Sequence, residues 1–181
     1  MKTIIVYYSN TNNNAILAHV LQKILFCDIL KIEEVKKRTG FTIFLDLLLN
    51  RIPKLKEHGV PLALYSNFIF ISPIWAGKIA APLKSFLLKE KDRVPSYSFI
   101  SFCGGVKGQA IKIENELETI VQHPPSVVKE LWINQLLPSE KMNTVKYTSG
   151  YRVLPADLEN FKEHIHEFVR QLNVETKSYA S

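Results

Sequence analysis

The chain has 181 residues, 46% hydrophobic and 22% charged, which suits one domain with a real core and excludes a low-complexity or disordered chain. No stretch is apolar enough for long enough to span a bilayer, and the two cysteines, Cys27 and Cys103, form neither a metal-ligand spacing nor a disulfide framework, so a reducing, cytoplasmic compartment is expected. The net charge of +6 bears on partners rather than on fold, and with no nucleic-acid-binding motif to accompany it the basic excess reads as a solvated face, with no nucleic acid as partner.

The first predicted strand covers residues 3–8, a β-branched and aromatic run. It begins almost at the N-terminus, which leaves no room for a signal peptide. Directly behind it stands Ser9-Asn10-Thr11-Asn12-Asn13-Asn14, and directly after that a helix over about 13–25. A strand that ends in a hydroxyl- and amide-rich turn and opens a helix has the form of a phosphate cradle. The helix N-terminus leaves N–H groups unpaired and its dipole favours an anion. An ordinary cap needs only one such residue, so four asparagines among five point beyond capping.

A second strand follows at 28–32 and a third at 68–71, ending at Ser72-Pro73. Between them, the apolar segment 41–49 reads as the crossover helix, with a lid, a membrane-facing patch or a dimer surface as alternatives. A short helix at about 80–88, a fourth strand at 98–102, a helix at about 107–121 and a fifth strand around 127–133 come next. The stretch 138–151 reads as a long polar loop near a ligand edge. A last helix runs from Pro155, in the favoured first-turn position, to about residue 172. Residues 1–175 are expected to form one domain, and 176–181 a flexible tail.

Continuous apolar strands alternating with helices predict a parallel sheet covered on both faces, doubly wound by right-handed crossovers. In such a sheet a ligand lies beyond the carboxyl ends of the strands, where strand order reverses. Unusual residues stand at all three central strand ends. After the third strand comes Pro73-Ile74-Trp75-Ala76-Gly77, where an indole can form a flat wall and a glycine allows close approach. After the fourth comes Phe102-Cys103-Gly104-Gly105. Each loop alone has a plain packing explanation, but three such explanations would have to coincide at one edge. No Ser/His/Asp triad, metal-ligand cluster or paired carboxylate set is visible, and Cys103 reads as a small packing residue.

These loops resemble those of the flavodoxin-like, FMN-binding family. Tyr8-Ser9-Asn10-Thr11-Asn12-Asn13-Asn14 is similar to the family's Tyr/Phe-Ser-x-Thr-Gly-Asn-Thr loop. Ser72-Pro73-Ile74-Trp75-Ala76-Gly77 is similar to Ser-Pro-x-Trp-x-Gly, Pro82 and Phe86-Leu87 to its next helix, and Gly104-Gly105 to the end of its third loop. The chain departs at Asn12, where the family has glycine, and at Asn14, where it has threonine. The resemblance implies a flavodoxin-like five-stranded parallel sheet in the order 2-1-3-4-5 with helices on both faces. It implies FMN as cofactor, with Ser9, Thr11, Asn13, Asn14 and nearby N–H groups, Asn10 and Asn12 included, around its phosphate. Trp75 would stack on or flank the isoalloxazine, backbone groups of Ala76 and Gly77 would lie near its N5 edge, and Phe102, Cys103 and Gly104 would line the pyrimidine side, with Pro73, Ile74 and Gly105 also among the implied cofactor-binding residues.

The implied activity is that of an oxidoreductase in which flavin N5 carries the chemistry and no side chain is itself catalytic. Electrons or hydride would pass from NADH, NADPH or a redox protein to an acceptor such as a quinone. A one-electron carrier and a scaffold that binds a partner without flavin stand as alternatives. The family's electron shuttles are acidic, and the +6 charge favours an enzyme over such a shuttle. A homodimer and contact with a membrane surface stay open.

Overall fold

The computed structural model describes residues 2–36, 49 and 51–172. The crossover segment 41–49, apart from Leu49, and the tail 176–181 lie outside the described residues. Five strands form one parallel sheet: β1 (Thr3–Tyr7), β2 (Asp28–Lys31), β3 (Asn67–Ile71), β6 (Tyr97–Cys103) and β7 (Val128–Trp132). Their order is β2-β1-β3-β6-β7, which counted along these five strands alone is the expected 2-1-3-4-5. The register runs Ile4 opposite Phe68, Phe68 opposite Tyr97 and Phe99 opposite Val128.

The alternation within each strand builds two cores, one per face. Ile4, Val6, Phe68, Phe70, Tyr97 and Phe99 meet α2 (Ala81–Glu90) and α3 (Gln109–Val121). Ile5, Tyr7, Ile69, Ile71, Ile100 and Phe102 meet α1 (Asn13–Leu25) and α5 (Lys162–Gln171). Each helix contributes one apolar stripe, Leu17 and Leu21 from α1, Leu83 and Phe86-Leu87 from α2, Ile113 and Leu117 from α3, Ile165 and Phe168 from α5. All residues of β1 and β6 are buried, while the edge strands β2 and β7 are only partly so, the pattern of a sheet covered on both sides.

Three local features differ from the sequence expectation. The second loop is itself a hairpin, β4 (Ile74–Trp75) against β5 (Lys78–Ile79). Residues 138–151 are not an irregular loop throughout, since they carry the short helix α4 (Val145–Gly150). The last helix does not start as α-helix at Pro155: residues Pro155–Phe161 form 3₁₀ turns and α-helical bonding begins at Lys162. Proline suits either kind of first turn, so the residue marks a helical start without choosing the type.

Candidate functional site

The carboxyl ends of β1, β3, β6 and β7 open onto a cleft of about 1090 Å³. The reversal of strand order falls between β1 and β3, so the cleft sits at the switch point of the sheet. Of the residues expected at the site, all but Ser9 and Asn12 line it.

The first loop enters α1 through Asn12, whose φ of 70° is left-handed. Asparagine tolerates this conformation better than most residues, so the turn survives without glycine. Asn12 makes no side-chain cap, and the first bond of the helix is Ile16 N–H to the Asn12 carbonyl at 3.0 Å. The side-chain amides of Asn13 and Asn14 are spent elsewhere. Asn13 donates to Tyr151 O at 3.0 Å and accepts from Val153 N–H at 3.0 Å. Asn14 donates to Phe102 O at 3.3 Å and accepts from Phe102 N–H at 2.9 Å. Two of the asparagines are therefore clamps that tie the first loop to the third and to the chain ahead of α5. Asn10 and Thr11 of the same loop also line the cleft, beside the N-terminus of α1. Ser9 Oγ is buried and has no hydrogen-bond partner among the described residues.

The second loop turns at Ala76 (φ 49°) and Gly77 (φ 74°), the paired positive φ values of a tight two-residue hairpin. The hairpin is anchored at both ends. Ala80 N–H donates to Pro73 O at 3.0 Å, and Ile79 N–H donates to Glu116 Oε2 of α3 at 2.8 Å. Burial raises the Glu116 carboxyl above its ordinary value, against the opposing pull of the Ile79 N–H and the ammonium groups of Lys84 and Lys78. Trp75 is half-buried on the cleft and stands edge-on to Tyr8, with ring centroids 6.1 Å apart and planes at 90°.

The third loop is wedged between later parts of the chain. A Cβ on Gly104 would lie 3.3 Å from Thr148 Oγ1, and one on Gly105, whose φ is +88°, only 2.7 Å from Trp132 Cγ. The Trp132 indole N–H donates to Glu130 Oε2 at 3.0 Å, and Gln109 Nε2 donates to Glu130 Oε1 at 2.6 Å. Burial pushes the Cys103 thiol up to about 12, helped by the nearby Glu130 carboxylate, so it stays protonated at neutral pH. That protonation argues for the packing role of Cys103.

Sequence reasoning missed Trp132 and Asn134, while the stretch 138–151, read as a loop near a ligand edge, does line the cleft through Met142, Asn143, Val145, Thr148 and Ser149. Trp132 could have been found by the rule that exposed the other loops, since it closes a strand at the same edge. Asn134 carried no such signal. It is buried, and its amide donates to Gly105 O at 3.2 Å while its carbonyl accepts from Asn143 N–H at 2.9 Å, so it couples the third loop to the segment that carries α4. Among the described residues no group of three or more His, Cys, Asp or Glu could hold a metal ion, and no helix is long and apolar enough to cross a membrane.

Solved structures resemble this architecture. A protein of Bacteroides eggerthii, provisionally described as a flavoprotein, superposes with a TM-score of 0.69 at 13% identity over 96% of this chain and 99% of its own. A flavoprotein of Lactobacillus acidophilus, solved in complex with FMN, gives 0.62 at 16% identity over 71% of this chain and 92% of its own. A flavodoxin, WrbA-like protein of Agrobacterium tumefaciens gives 0.51 at 14% identity over 95% and 99%. The fold is flavodoxin-like. No family model matches the sequence, and no curated protein matches it at a significant level. In this flavodoxin-like frame the cleft occupies the switch-point edge, and the hairpin β4–β5 and the α4 segment both line it.

Proposed function

We propose that this chain binds FMN in the switch-point cleft and works as an oxidoreductase, taking electrons or hydride from NADH, NADPH or a redox protein and passing them to an acceptor such as a quinone. The observation that carries this reading is the meeting of three loops, from β1, β3 and β6, in one cleft, the first of them also holding the Ser9 hydroxyl, which is buried behind the lining without a hydrogen-bond partner among the described residues. The residues present fit such a cofactor. A buried hydroxyl without a partner is costly, and a phosphate oxygen would satisfy it. The N-terminus of α1 beside it suits the same dianion. Two aromatic side chains, Trp75 and Trp132, stand on the cleft for a flat ring system. Gly104 and Gly105 line the cleft, and their lack of a side chain lets Thr148 and Trp132 pack closely on the third loop beside it. FMN would supply the electron or hydride transfer itself.

The chain's own residues then bind, orient and shield. Ser9, Thr11, Asn10 and the leading N–H groups of α1 hold the phosphate end. The Asn13 and Asn14 clamps keep that cradle fixed to the third loop. Glu116 holds the hairpin that carries Ala76 and Gly77. Cys103 keeps its proton and packs. The neighbouring flavoprotein folds support this reading, and the solved complex of the Lactobacillus acidophilus protein holds FMN.

The test is visible absorption of the purified chain, with FMN added if it is colourless. Flavin bands that stay with the protein through gel filtration are expected, and Ser9→Ala with Thr11→Ala should weaken FMN far more than riboflavin, which lacks the phosphate. No bound flavin at high FMN would hand the site to the partner-binding scaffold. Steady turnover with NADH or NADPH and a quinone is expected of the enzyme, whereas a one-electron carrier would need a partner protein.

A further inference from the structure

Around the cleft, the third loop and the segment that carries α4 are apolar and cationic together. Val106, in the turn between β6 and α3, is 62% exposed, and Val145, at the start of α4, is 78% exposed. Both line the cleft, as does the partly exposed Met142. They come from two stretches of chain that Asn134 fastens together by bonding Gly105 and Asn143. Tyr147 is exposed beside them, with Lys141 Nζ 5.7 Å and Lys146 Nζ 5.8 Å from its ring centroid. Lys107 and Lys112 line the cleft from the stretch that holds Val106. Residues 104–112 and 139–150 together hold four lysines against one acidic residue, Glu140.

We propose that this patch is a docking surface for an anionic membrane, which brings the mouth of the cleft to the bilayer. Aliphatic tips set among lysines, with a tyrosine at the boundary, are the arrangement by which a protein seats on a lipid surface without crossing it. The tips enter the headgroup boundary, and the ammonium groups meet acidic lipids. An acidic protein would satisfy the lysines and leave Val106 and Val145 in water. A second copy of the chain would cover the valines and set lysines against lysines. The lipid surface satisfies both. The surface stands independently of the flavin reading, and it adds that an acceptor dissolved in the membrane reaches the cleft directly.

The experiment is co-sedimentation of the full chain with vesicles of phosphatidylcholine alone or mixed with phosphatidylglycerol. Binding to the mixed vesicles only, weakened by raised salt, is expected. Each lysine near such a surface is worth about fivefold in affinity, so Lys107→Gln with Lys112→Gln should lower binding roughly thirtyfold. Val106→Asp with Val145→Asp should abolish it. Leu64→Asp is the control, an exposed apolar residue ahead of β3 at the other end of the sheet, and should leave binding intact. Circular dichroism and thermal melting check that each variant is folded. No sedimentation with mixed vesicles overturns the proposal. So does equal loss with Leu64→Asp, or self-association in ultracentrifugation that Val145→Asp removes while vesicle binding is absent. Because vesicle binding is read without flavin, failure here leaves the FMN reading standing, and failure of FMN binding leaves this one standing.

Discussion

At the scale of single residues, Asn14 separates appearance from use. Its place in a polar loop reads as a ligand donor, and in the fold both ends of its amide are consumed by the Phe102 backbone. Truncating it to alanine strands a buried N–H and a buried C=O in the central strand β6. Each uncompensated group of that kind costs about 1–3 kcal/mol, and Asn14→Ala should therefore destabilise by roughly 2–3 kcal/mol in urea unfolding. A change within a few tenths would show that the clamp carries no weight. Asn12 behaves as its residue type suggests, supplying the left-handed turn. The difference is physical: a left-handed turn is a local demand that a sequence displays, whereas a clamp across 88 residues depends on where the rest of the chain goes.

At the scale of elements, strands and helices were legible because burial imposes a period. β1 and β3 are nearly continuous apolar runs, β6 is apolar apart from Ser98 and Ser101, and the stripes on α1, α2 and α3 repeat at helical spacing. The β4–β5 hairpin was not, because two-residue strands have no period and its turn uses Ala76 where glycine or asparagine would have announced it. Its anchor on α3 gives a pH-dependent prediction. The Glu116 carboxyl is raised in the fold above its ordinary value of 4.5, chiefly by burial. The unfolded chain therefore loses that proton first as pH rises, and Glu116 lowers stability from the ordinary carboxylate range upward. Glu116→Gln keeps an acceptor for Ile79 N–H and has no proton to lose. Its advantage over the natural chain in denaturant midpoint should be least near about pH 4 and greatest near neutrality. Parallel curves for the two proteins would remove Glu116 titration from the account of the hairpin.

At the scale of the whole molecule, the doubly wound order followed from strand–helix alternation and the loop resemblance, and with it the edge where a ligand belongs. Trp132 and Asn134 did not follow, since they reach the cleft by tertiary packing, and the stretch 138–151 was legible as a loop near the ligand edge but not as the carrier of α4, because it is polar and has no periodicity. A ligand that joins loops so distant in sequence stabilises the fold as a unit. At a hundred times its dissociation constant FMN should add about 2.7 kcal/mol, which for a domain of this size raises the melting temperature by roughly 5–10 °C. Riboflavin at the same concentration should give a smaller shift, because the α1 terminus and Ser9 would be left without their anion. Equal shifts would place the binding energy on the ring alone.

The chain has two tryptophans, and both stand on the cleft while phenylalanine, tyrosine and aliphatic residues fill the two cores. Excitation selective for indole therefore samples the cleft and little else. Its emission is a native optical probe of what occupies that space, present without labelling, and Trp75→Phe and Trp132→Phe divide the signal between the hairpin side and the third-loop side.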